Sequence, residues 1–277
     1  MKYIIPGFLI FCSLVTGCAR KSPPRMAEKP SPASTRTSET PSPPSEEAEY
    51  LRYEEKLKAV PGDPDTLYKL GVAYQKVGRL DDALKVLQES IQIKPDNYDA
   101  HFHIGQILKE KGQREAAIKA FRETLRLRPD LNEVLFQLGI TQLEMRKNQE
   151  AIETFQTYLT RDPQSADAHY ALAQALYARG LWQKSLEAYR QVTLFKNNFT
   201  EAYLGIAACQ YQLGNYLEAQ ESYKQALSLN PDSVEAHYGV GLTAIKLGDR
   251  GTVLKEINAL KTIDPSLAER LKAQLEK

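Results

Sequence analysis

Apolar residues recur at helical spacing through most of the chain. The first such stripe consists of Leu67, Leu70, Gly71 and Tyr74, at positions i, i+3, i+4 and i+7. Residues at this spacing share one face of an α-helix, so the stripe predicts an amphipathic helix. Gly78 follows the stripe, and glycine readily takes the left-handed conformation that often ends a helix.

A second stripe follows Gly78 and is formed by Ala83, Leu87 and Ile91. Pro95 comes shortly after it. Proline cannot extend a helix, because it lacks an N–H and its ring clashes with the preceding turn. The pattern therefore predicts two consecutive helices, each with one buried face.

This two-helix pattern returns every 34 residues. Prolines mark the period at Pro61, Pro95, Pro129, Pro163, Pro231 and Pro265, with Asn197 at the midpoint of the one double gap. Glycines mark it at Gly78, Gly112, Gly180, Gly214 and Gly248, with Arg146 in the remaining place. A fixed period of this length indicates a stacked array of helix pairs rather than a compact globule.

Small residues occupy two fixed positions of the period. One position holds Gly71, Gly105, Gly139, Ala173, Ala207 and Gly241, and the other holds Ala83, Ala117, Ala151, Ser185 and Ala219. Small side chains at both positions let the two helices of a pair approach closely. Val253 breaks the second series, so we expect a bulkier side chain to be tolerated better at Gly241 than at Gly139.

The segments LYKLGVAY…GRLDDALKVLQESIQIKP and AYLGIAACQYQLGNYLEAQESYKQALSLNP carry this pattern almost in full. They closely resemble the tetratricopeptide repeat. The resemblance implies an all-α fold, a right-handed α-solenoid of about six helix-turn-helix units. A half-unit would precede the six units, and a capping helix would follow them.

The expected domain boundaries follow from these patterns. They are a signal peptide at 1–17, a tether at 18–45 and a solenoid at 46–277, with repeats at 64–97, 98–131, 132–165, 166–199, 200–233 and 234–267 and a cap at 266–277. The sixth repeat is atypical at Val253 and Ile257, as expected for a unit at the end of an array. The fourth repeat ends at Asn197 without a proline, which suggests a flexible joint.

The N-terminal segment has the layout of a secretion signal. Lys2 precedes an apolar run that is too short to cross a bilayer and ends at Gly17 and Cys18. The stretch Leu14–Cys18 resembles the lipobox of bacterial lipoproteins, which implies cleavage before Cys18 and lipid attachment to its thiol. An ordinary signal peptide with an incidental cysteine is the alternative. Under the resemblance, Ala19 favours anchoring in the outer membrane, facing the periplasm.

Residues 19–45 differ in composition from the rest of the chain. They hold seven prolines, six serines and three threonines, and Met26 is the one large apolar residue. Such a segment buries too little surface to offset the entropy of ordering. We therefore expect a disordered tether between the lipid anchor and the repeats.

Composition and motifs argue against several classes of function. Lys and Arg total 36 against 35 Asp and Glu, so the chain lacks the basic excess expected of a nucleic-acid-binding protein. His101, His169 and His237 share one repeat position, where other repeats have Leu67, Leu135 or Tyr203. That equivalence indicates partly buried helix residues rather than metal ligands. No phosphate loop or catalytic triad pattern stands out, so we expect no enzyme activity, no cofactor and no metal.

The family resemblance places partner binding on the concave face of the stack. The candidate groove residues are aromatic and lie at two repeat positions: Tyr68, Phe102, Phe136, Tyr170 and Tyr238 at the fifth, and Tyr177 and Tyr211 at the twelfth. Packing between units explains the fifth position equally well, since a ring body can pack while its edge stays exposed. Tyr177 and Tyr211 are the better candidates for contact with a partner.

An acidic residue occupies the second position of every repeat. The series is Asp65, Asp99, Glu133, Asp167, Glu201 and Glu235. Carboxylates in the first turn favour the helix dipole, which explains the series without a partner. As a continuous acidic rim, the same residues would favour a basic partner. The clamp that some family members use to bind a peptide carboxylate is missing, because Tyr68, Val72, His103, Glu133 and Gln137 occupy its positions.

The sequence therefore predicts a lipid-anchored scaffold that binds envelope proteins or peptide segments in its groove. Its layout is similar to that of the six-repeat lipoproteins that help to assemble outer-membrane pores for type IV pili. An adaptor for envelope proteases or peptidoglycan enzymes is a second hypothesis. An envelope enzyme with an unrecognised site is a third.

Overall fold

The computed structural model describes residues 46–277, which contain fourteen α-helices and no strand. The signal peptide, Cys18 and the tether lie outside the described residues. The chain divides into two compact units, one ending at Pro95 and the other beginning at Asp96. Each unit is described by itself below.

The first unit holds α1 (Glu46–Ala59), α2 (Pro64–Lys76) and α3 (Leu80–Ile93). Helix α2 packs against both α1 and α3. The guanidinium group of Arg79 lies over the rings of Tyr50 and Tyr74, at 5.2 and 4.2 Å from their centroids. Lys76 forms an ion pair with Glu49 at 3.0 Å. These contacts hold the single helix α1 against the first complete pair.

The second unit holds the remaining helices. They are α4 (Tyr98–Glu110), α5 (Arg114–Leu127), α6 (Asn132–Glu144), α7 (Asn148–Leu159), α8 (Ala166–Ala178), α9 (Trp182–Phe195), α10 (Thr200–Gln212), α11 (Tyr216–Leu229), α12 (Val234–Leu247), α13 (Arg250–Ile263) and α14 (Pro265–Leu275). Each helix packs against the next along the chain. The predicted all-α array of helix pairs is confirmed. Within residues 46–277, none of the helices is long and apolar enough to cross a membrane.

Side chains cap the N-termini of several first helices. The backbone N–H of Thr66 donates to Asp63 Oδ2 at 3.0 Å, and that of Ala100 donates to Asn97 Oδ1 at 3.1 Å. Ser165 caps α8 in the same way. These side chains satisfy N–H groups that have no partner within the helix.

The turn between the two helices of a pair requires a left-handed residue. Gly78 has φ of 76° and Gly112 has φ of 75°, as the sequence predicts. Arg146 takes the same conformation at φ 57°, although its Cβ makes this region unfavourable. The turn geometry is therefore kept in the third repeat at the cost of local backbone strain.

The last helix begins one residue before the predicted cap. Pro265 is its first residue, and Asp264 accepts a hydrogen bond from the backbone N–H of Leu267 at 3.0 Å. Proline suits this position because the first helical N–H needs no partner within the helix. Ala268 and Leu271 are buried on the side of α14 that packs against α12 and α13.

Small residues bring the helices of a pair together as predicted. A Cβ added to Gly105 would lie 2.6 Å from the ring of Phe121, and one added to Gly139 would lie 2.7 Å from the ring of Phe155. Both phenylalanines are fully buried and lie on the second helix of the same repeat. In repeats two and three, the glycine of the first helix thus receives the ring of its own partner helix.

Repeats four and five use a different contact. Tyr189 occupies the repeat position of Phe121 and Phe155, but its ring lies against Gly205, on the first helix of the following repeat. Tyr223 lies against Gly239 in the same way. Neither glycine belongs to the two series of small residues that recur in the sequence. Their effect is to let a large ring pack between neighbouring repeats.

Gly241 has its nearest contact on the cap helix. A Cβ at this position would meet the side chain of Leu271, on α14, and Val253 is not among its three nearest contacts. The cap helix covers this face of α12. The tolerance of Gly241 therefore depends on α14 rather than on Val253.

The joint without proline is held by side chains. Tyr203 donates a hydrogen bond from its hydroxyl to the carbonyl oxygen of Asn197 at 3.1 Å. The ring of Phe199 packs edge-on against Tyr170, with centroids 5.1 Å apart. These contacts connect α8, the loop at Asn197 and α10 across this joint.

Candidate functional site

Five helices carry the predicted groove residues of the second unit. They are the first helices of its repeats, α4, α6, α8, α10 and α12, and their shared surface is the first-helix face. From α6 onward, neighbouring first helices contact one another directly: α6 with α8, α8 with α10 and α10 with α12. Tyr68 lies in the first unit and is half-buried there. The first-helix face therefore consists of residues of the second unit only.

The aromatic residues at the fifth repeat position pack onto the second helix of their own repeat. Ring centroids lie 6.0 Å apart for Phe102 and Phe121, and 6.0 Å apart for Phe136 and Phe155. Phe102, Phe136 and Tyr170 remain half-buried, so one edge of each ring is accessible. These rings contribute to packing between the helices and present a limited surface to a partner.

Tyr238 belongs to the core. Its side chain is only 5% exposed, and Gln274 of α14 donates a hydrogen bond to its hydroxyl at 3.3 Å. The ring is part of the buried cluster that joins α12, α13 and α14. Because the cap helix covers it, Tyr238 is poorly placed for the groove role expected from the sequence.

Tyr177 and Tyr211, at the twelfth position, form aromatic pairs that the repeat pattern did not predict. Tyr177 packs edge-on against Trp182 at 4.6 Å, and Tyr211 packs against Tyr216 at 5.3 Å, both measured between centroids. All four rings are half-buried. The spacing in the sequence could have predicted these pairs, since Trp182 and Tyr216 lie 34 residues apart, as Tyr177 and Tyr211 do.

Burial affects the ionisation of these tyrosines. Loss of water around the phenol raises the pKa of Tyr177 to about 12 and raises the pKa of Tyr211 above its ordinary value. Burial also raises the pKa of Tyr170 strongly. All three hydroxyls are therefore neutral at physiological pH and can donate hydrogen bonds.

The acidic positions do not form a uniform rim. Asp65 pairs with Lys94 at 3.2 Å, and Asp167 pairs with Lys196 at 2.7 Å. Both lysines lie 29 residues after their partners, at the end of the second helix of the same repeat. Glu133 and Glu235 are exposed, whereas Asp99 and Glu201 are half-buried. Lys94 and Lys196 partly neutralise their partner carboxylates, so a basic partner would meet a weaker negative potential.

The first-helix face is more polar at its α4 and α6 end. The Lys109 ammonium group donates a hydrogen bond to Gln137 Oε1 at 3.0 Å. The nearby carboxylate of Glu144 is held by Arg114 Nε at 2.7 Å. Burial lowers the pKa of Lys109 and also that of His103. This end of the face therefore holds a half-buried cation whose hydrogen-bond partner is a neutral amide.

The histidines at the shared repeat position have structural contacts. His169 Nε2 lies 2.9 Å from the carbonyl oxygen of Pro163, and His237 Nε2 lies 2.9 Å from that of Pro231. His237 Nδ1 also lies 2.6 Å from the buried carboxylate of Glu256. Tyr203 makes the same carbonyl contact six residues back. In these three repeats, the side chain at this position ties the first helix to the loop before it.

Two observations on the described residues concern nucleophilic chemistry and metal binding. Cys209 is fully buried, its Sγ donates to Ser185 Oγ at 3.3 Å, and burial raises the pKa of its thiol to about 12. A thiol in this environment is a poor nucleophile. Within residues 46–277, no three His, Cys, Asp or Glu side chains are grouped so that they could hold a metal ion.

Family models match much of the repeat region. Tetratricopeptide-repeat models match residues 136–198 and 98–131, and a TPR-repeat model matches residues 76–112 and 210–248. No curated protein matches the sequence. The family matches agree with the helix pairs seen in the second unit.

Solved structures are similar in fold. YrrB, described as a TPR protein with an unusual peptide-binding site, is 16% identical with a TM-score of 0.63, over 66% of this chain and 95% of YrrB. MamA is 26% identical with a TM-score of 0.56, over 62% of this chain and 97% of MamA. The pilF protein of Pseudomonas aeruginosa is 19% identical with a TM-score of 0.59, over 77% of this chain and 97% of pilF. Together with the family matches, these similarities show that the chain is built from tetratricopeptide repeats.

Proposed function

We propose that this protein is a scaffold without catalytic activity that binds protein or peptide partners on its first-helix face. The observation that carries the proposal is the pair of half-buried aromatic contacts, Tyr177 with Trp182 and Tyr211 with Tyr216. Rings of this kind give a large contact area at a small cost in conformational entropy, and such residues dominate many interfaces. The similarity of YrrB, a repeat protein with a peptide-binding site, supports the same function.

The proposal includes a lipid anchor in the bacterial cell envelope. Its support is the sequence from Leu14 to Cys18 and the Pro- and Ser-rich segment that follows. Three acyl chains on Cys18 would anchor the chain stably, since two or more chains suffice. Mass spectrometry of the mature protein tests this. We expect lipid on an N-terminal Cys18 and no mature product from Cys18→Ser, whereas an unmodified cysteine or cleavage elsewhere would refute the anchor.

The partners that we propose are components of an outer-membrane pore, secretion or pilus complex. The support is the layout, which is similar to that of the six-repeat lipoproteins that assist pilus pores. Adaptor function for envelope proteases or peptidoglycan enzymes is the second candidate. Crosslinking in intact cells, followed by identification of the captured proteins, separates the two. If the protein is instead an envelope enzyme, such as a hydrolase or transferase, the purified chain should show turnover in an activity screen.

Partner capture tests the assignment of the surface. Tyr177→Ala combined with Tyr211→Ala should weaken capture by about 2 kcal/mol or more, as expected for central aromatic contacts. Leu194→Ala is the matched control, because Leu194 lies on a second helix and is 71% exposed. It should leave capture unchanged.

Folding of the variants is measured alongside by circular dichroism and thermal melting. If the double variant retains capture while folded, partners bind elsewhere and the surface is wrongly assigned. If it loses helicity in proportion to capture, the tyrosines serve the core rather than the partner.

A further inference from the structure

The twelfth repeat position runs along the first-helix face and changes character along it. In the second unit it holds Lys109, Leu143, Tyr177, Tyr211 and Ile245 in order. All five side chains are half-buried. The last four pack on one side against the buried core clusters. The position thus offers one cation followed by four apolar surfaces.

The charge of Lys109 is not compensated by an ion pair with a carboxylate in the described part of the chain. Its ammonium group donates to the amide oxygen of Gln137 at 3.0 Å. The carboxylate of Glu144, on the facing helix α6, is taken by Arg114 of α5 at 2.7 Å. On α4 itself, His103 is half-buried, and burial lowers its pKa, which favours the neutral imidazole. A half-buried ammonium group that faces neutral groups and an already paired carboxylate gains most from a new anion.

We propose that the first-helix face binds an extended peptide that places an acidic side chain on Lys109 and large apolar side chains on Leu143, Tyr177 and Tyr211. This inference rests on the proposed function, because it assumes that the face binds peptides. It reverses the preference for a basic partner that the acidic residues at the second position suggested. Lys94 and Lys196 already pair with two of those residues.

The spacing of the helices sets the spacing of the peptide residues. Packed helices lie about 8–10 Å apart. An extended chain advances about 3.3 Å per residue, so neighbouring surfaces are about three residues apart along it. The partner segment should therefore carry Asp or Glu followed, at every third residue, by a large apolar residue. The chain direction is open, so both orders belong in the test.

Fluorescent decapeptides with blocked ends test the inference on the full chain. The probe has Asp at its first position and Leu, Phe and Leu at positions four, seven and ten, with Ser and Gly between them, and a second probe has the reverse order. Matched probes replace Asp with Asn or with Lys. We expect the Asp probe of one order to bind with a Kd about tenfold lower than the Asn probe, and the Lys probe to bind more weakly still.

Variants of the protein identify the site. Lys109→Met should remove the difference between the Asp and Asn probes, while binding of the Asn probe stays within about twofold. Lys119→Met is the matched control, because Lys119 is an exposed lysine on α5, and it should leave the difference intact. Tyr177→Ala should weaken both probes. Thermal melting of each variant shows whether the fold is retained.

The inference is overturned if Asp and Asn probes bind equally, if neither order binds, or if Lys119→Met has the same effect as Lys109→Met. A further probe has Asn in place of Asp and a free C-terminal carboxylate. Preference for this probe would also overturn the inference, since the proposed ligand is an internal side chain. The proposed function is judged separately, by capture of native partners with the Tyr177 and Tyr211 variants. A protein that captures partners but shows no preference for acidic probes would keep the function and lose this inference.

Discussion

The contact between Gly205 and Tyr189 makes a test of how neighbouring repeats fit together. In Gly205→Ala, the new Cβ would lie 2.6 Å from both Cε1 and Cε2 of the Tyr189 ring. Real Cβ atoms do not come this close to a neighbour, so either the ring or the helix must move. The ring is 1% exposed and lies in the core cluster formed by residues of α6 to α10, which leaves it little room.

Two opposing effects set the magnitude. Replacing glycine by alanine inside a helix stabilises it by about 1 kcal/mol through backbone entropy. Overpacking a filled core destabilises by about 1–3 kcal/mol. We therefore expect a net loss of up to about 2 kcal/mol where helix propensity alone predicts a gain.

Gly251→Ala is the matched control. Gly251 lies in α13, where the nearest atom to a new Cβ is Asp249 Oδ1 at 3.5 Å, an ordinary contact. This variant should be neutral or stabilising by up to about 1 kcal/mol. Gly239→Ala repeats the experiment one repeat later, against Tyr223, and should resemble Gly205→Ala.

Urea unfolding followed by circular dichroism measures the effect as a shift in midpoint. Long repeat arrays can depart from two-state unfolding, so midpoints are compared first, and free energies only where the slopes agree. A gain in stability for Gly205→Ala, of the size seen for Gly251→Ala, would refute the reasoning. It would mean that the Tyr189 ring has room to move and that the small residue is not required there.

Three further results are expected. Arg146→Gly should raise the free energy of unfolding by about 1 kcal/mol in a urea melt, because Arg146 holds a left-handed backbone at φ 57°, and a loss would show that its side chain matters more. Iodoacetamide at pH 8 should leave Cys209 unmodified in the folded chain and modify it in denaturant, as read by peptide mass mapping, since burial raises the pKa of its thiol to about 12. Burial likewise raises the pKa of Tyr177 to about 12, so from about pH 10 upward the phenol ionises first in the unfolded chain and stability falls. Tyr177→Phe should therefore reduce the loss of unfolding free energy between pH 8 and pH 11 by about 1 kcal/mol, and an unchanged loss would show that this phenol does not contribute.

The repeat architecture could be predicted because it depends on local chemistry. Caps such as Asp63, turn glycines such as Gly78 and stripes such as Leu67 and Leu70 act within one or two helical turns, so their spacing is visible in the sequence. The same 34-residue step could also have revealed the pairing of Asp65 with Lys94 and of Asp167 with Lys196, since each pair lies 29 residues apart.

The first-helix face was harder to predict, because the exposure and pairing of its side chains depend on which residues of neighbouring helices pack against them. Tyr238 has the same repeat position as Tyr170, yet α14 covers one ring and not the other. The ring that packs on Gly205 or Gly239 comes from the preceding repeat, whereas the ring that packs on Gly105 or Gly139 comes from the same repeat. Lys109 stands out only once Glu144 is seen to be paired with Arg114. These properties follow from three-dimensional neighbours, which a one-dimensional period does not specify.

The two ways of packing an aromatic ring also determine where the array can be divided. Repeats two and three each contain both halves of their contact, Gly105 with Phe121 and Gly139 with Phe155. From Tyr189 onward the two halves lie in different repeats. Removing residues 200–233 would place Gly239 against Tyr189 and preserve the match. Removing residues 166–199 would instead place Gly205 after Phe155, whose ring already packs on Gly139. Duplication, deletion and repeat exchange in this protein should therefore be tolerated at some 34-residue boundaries and not at others.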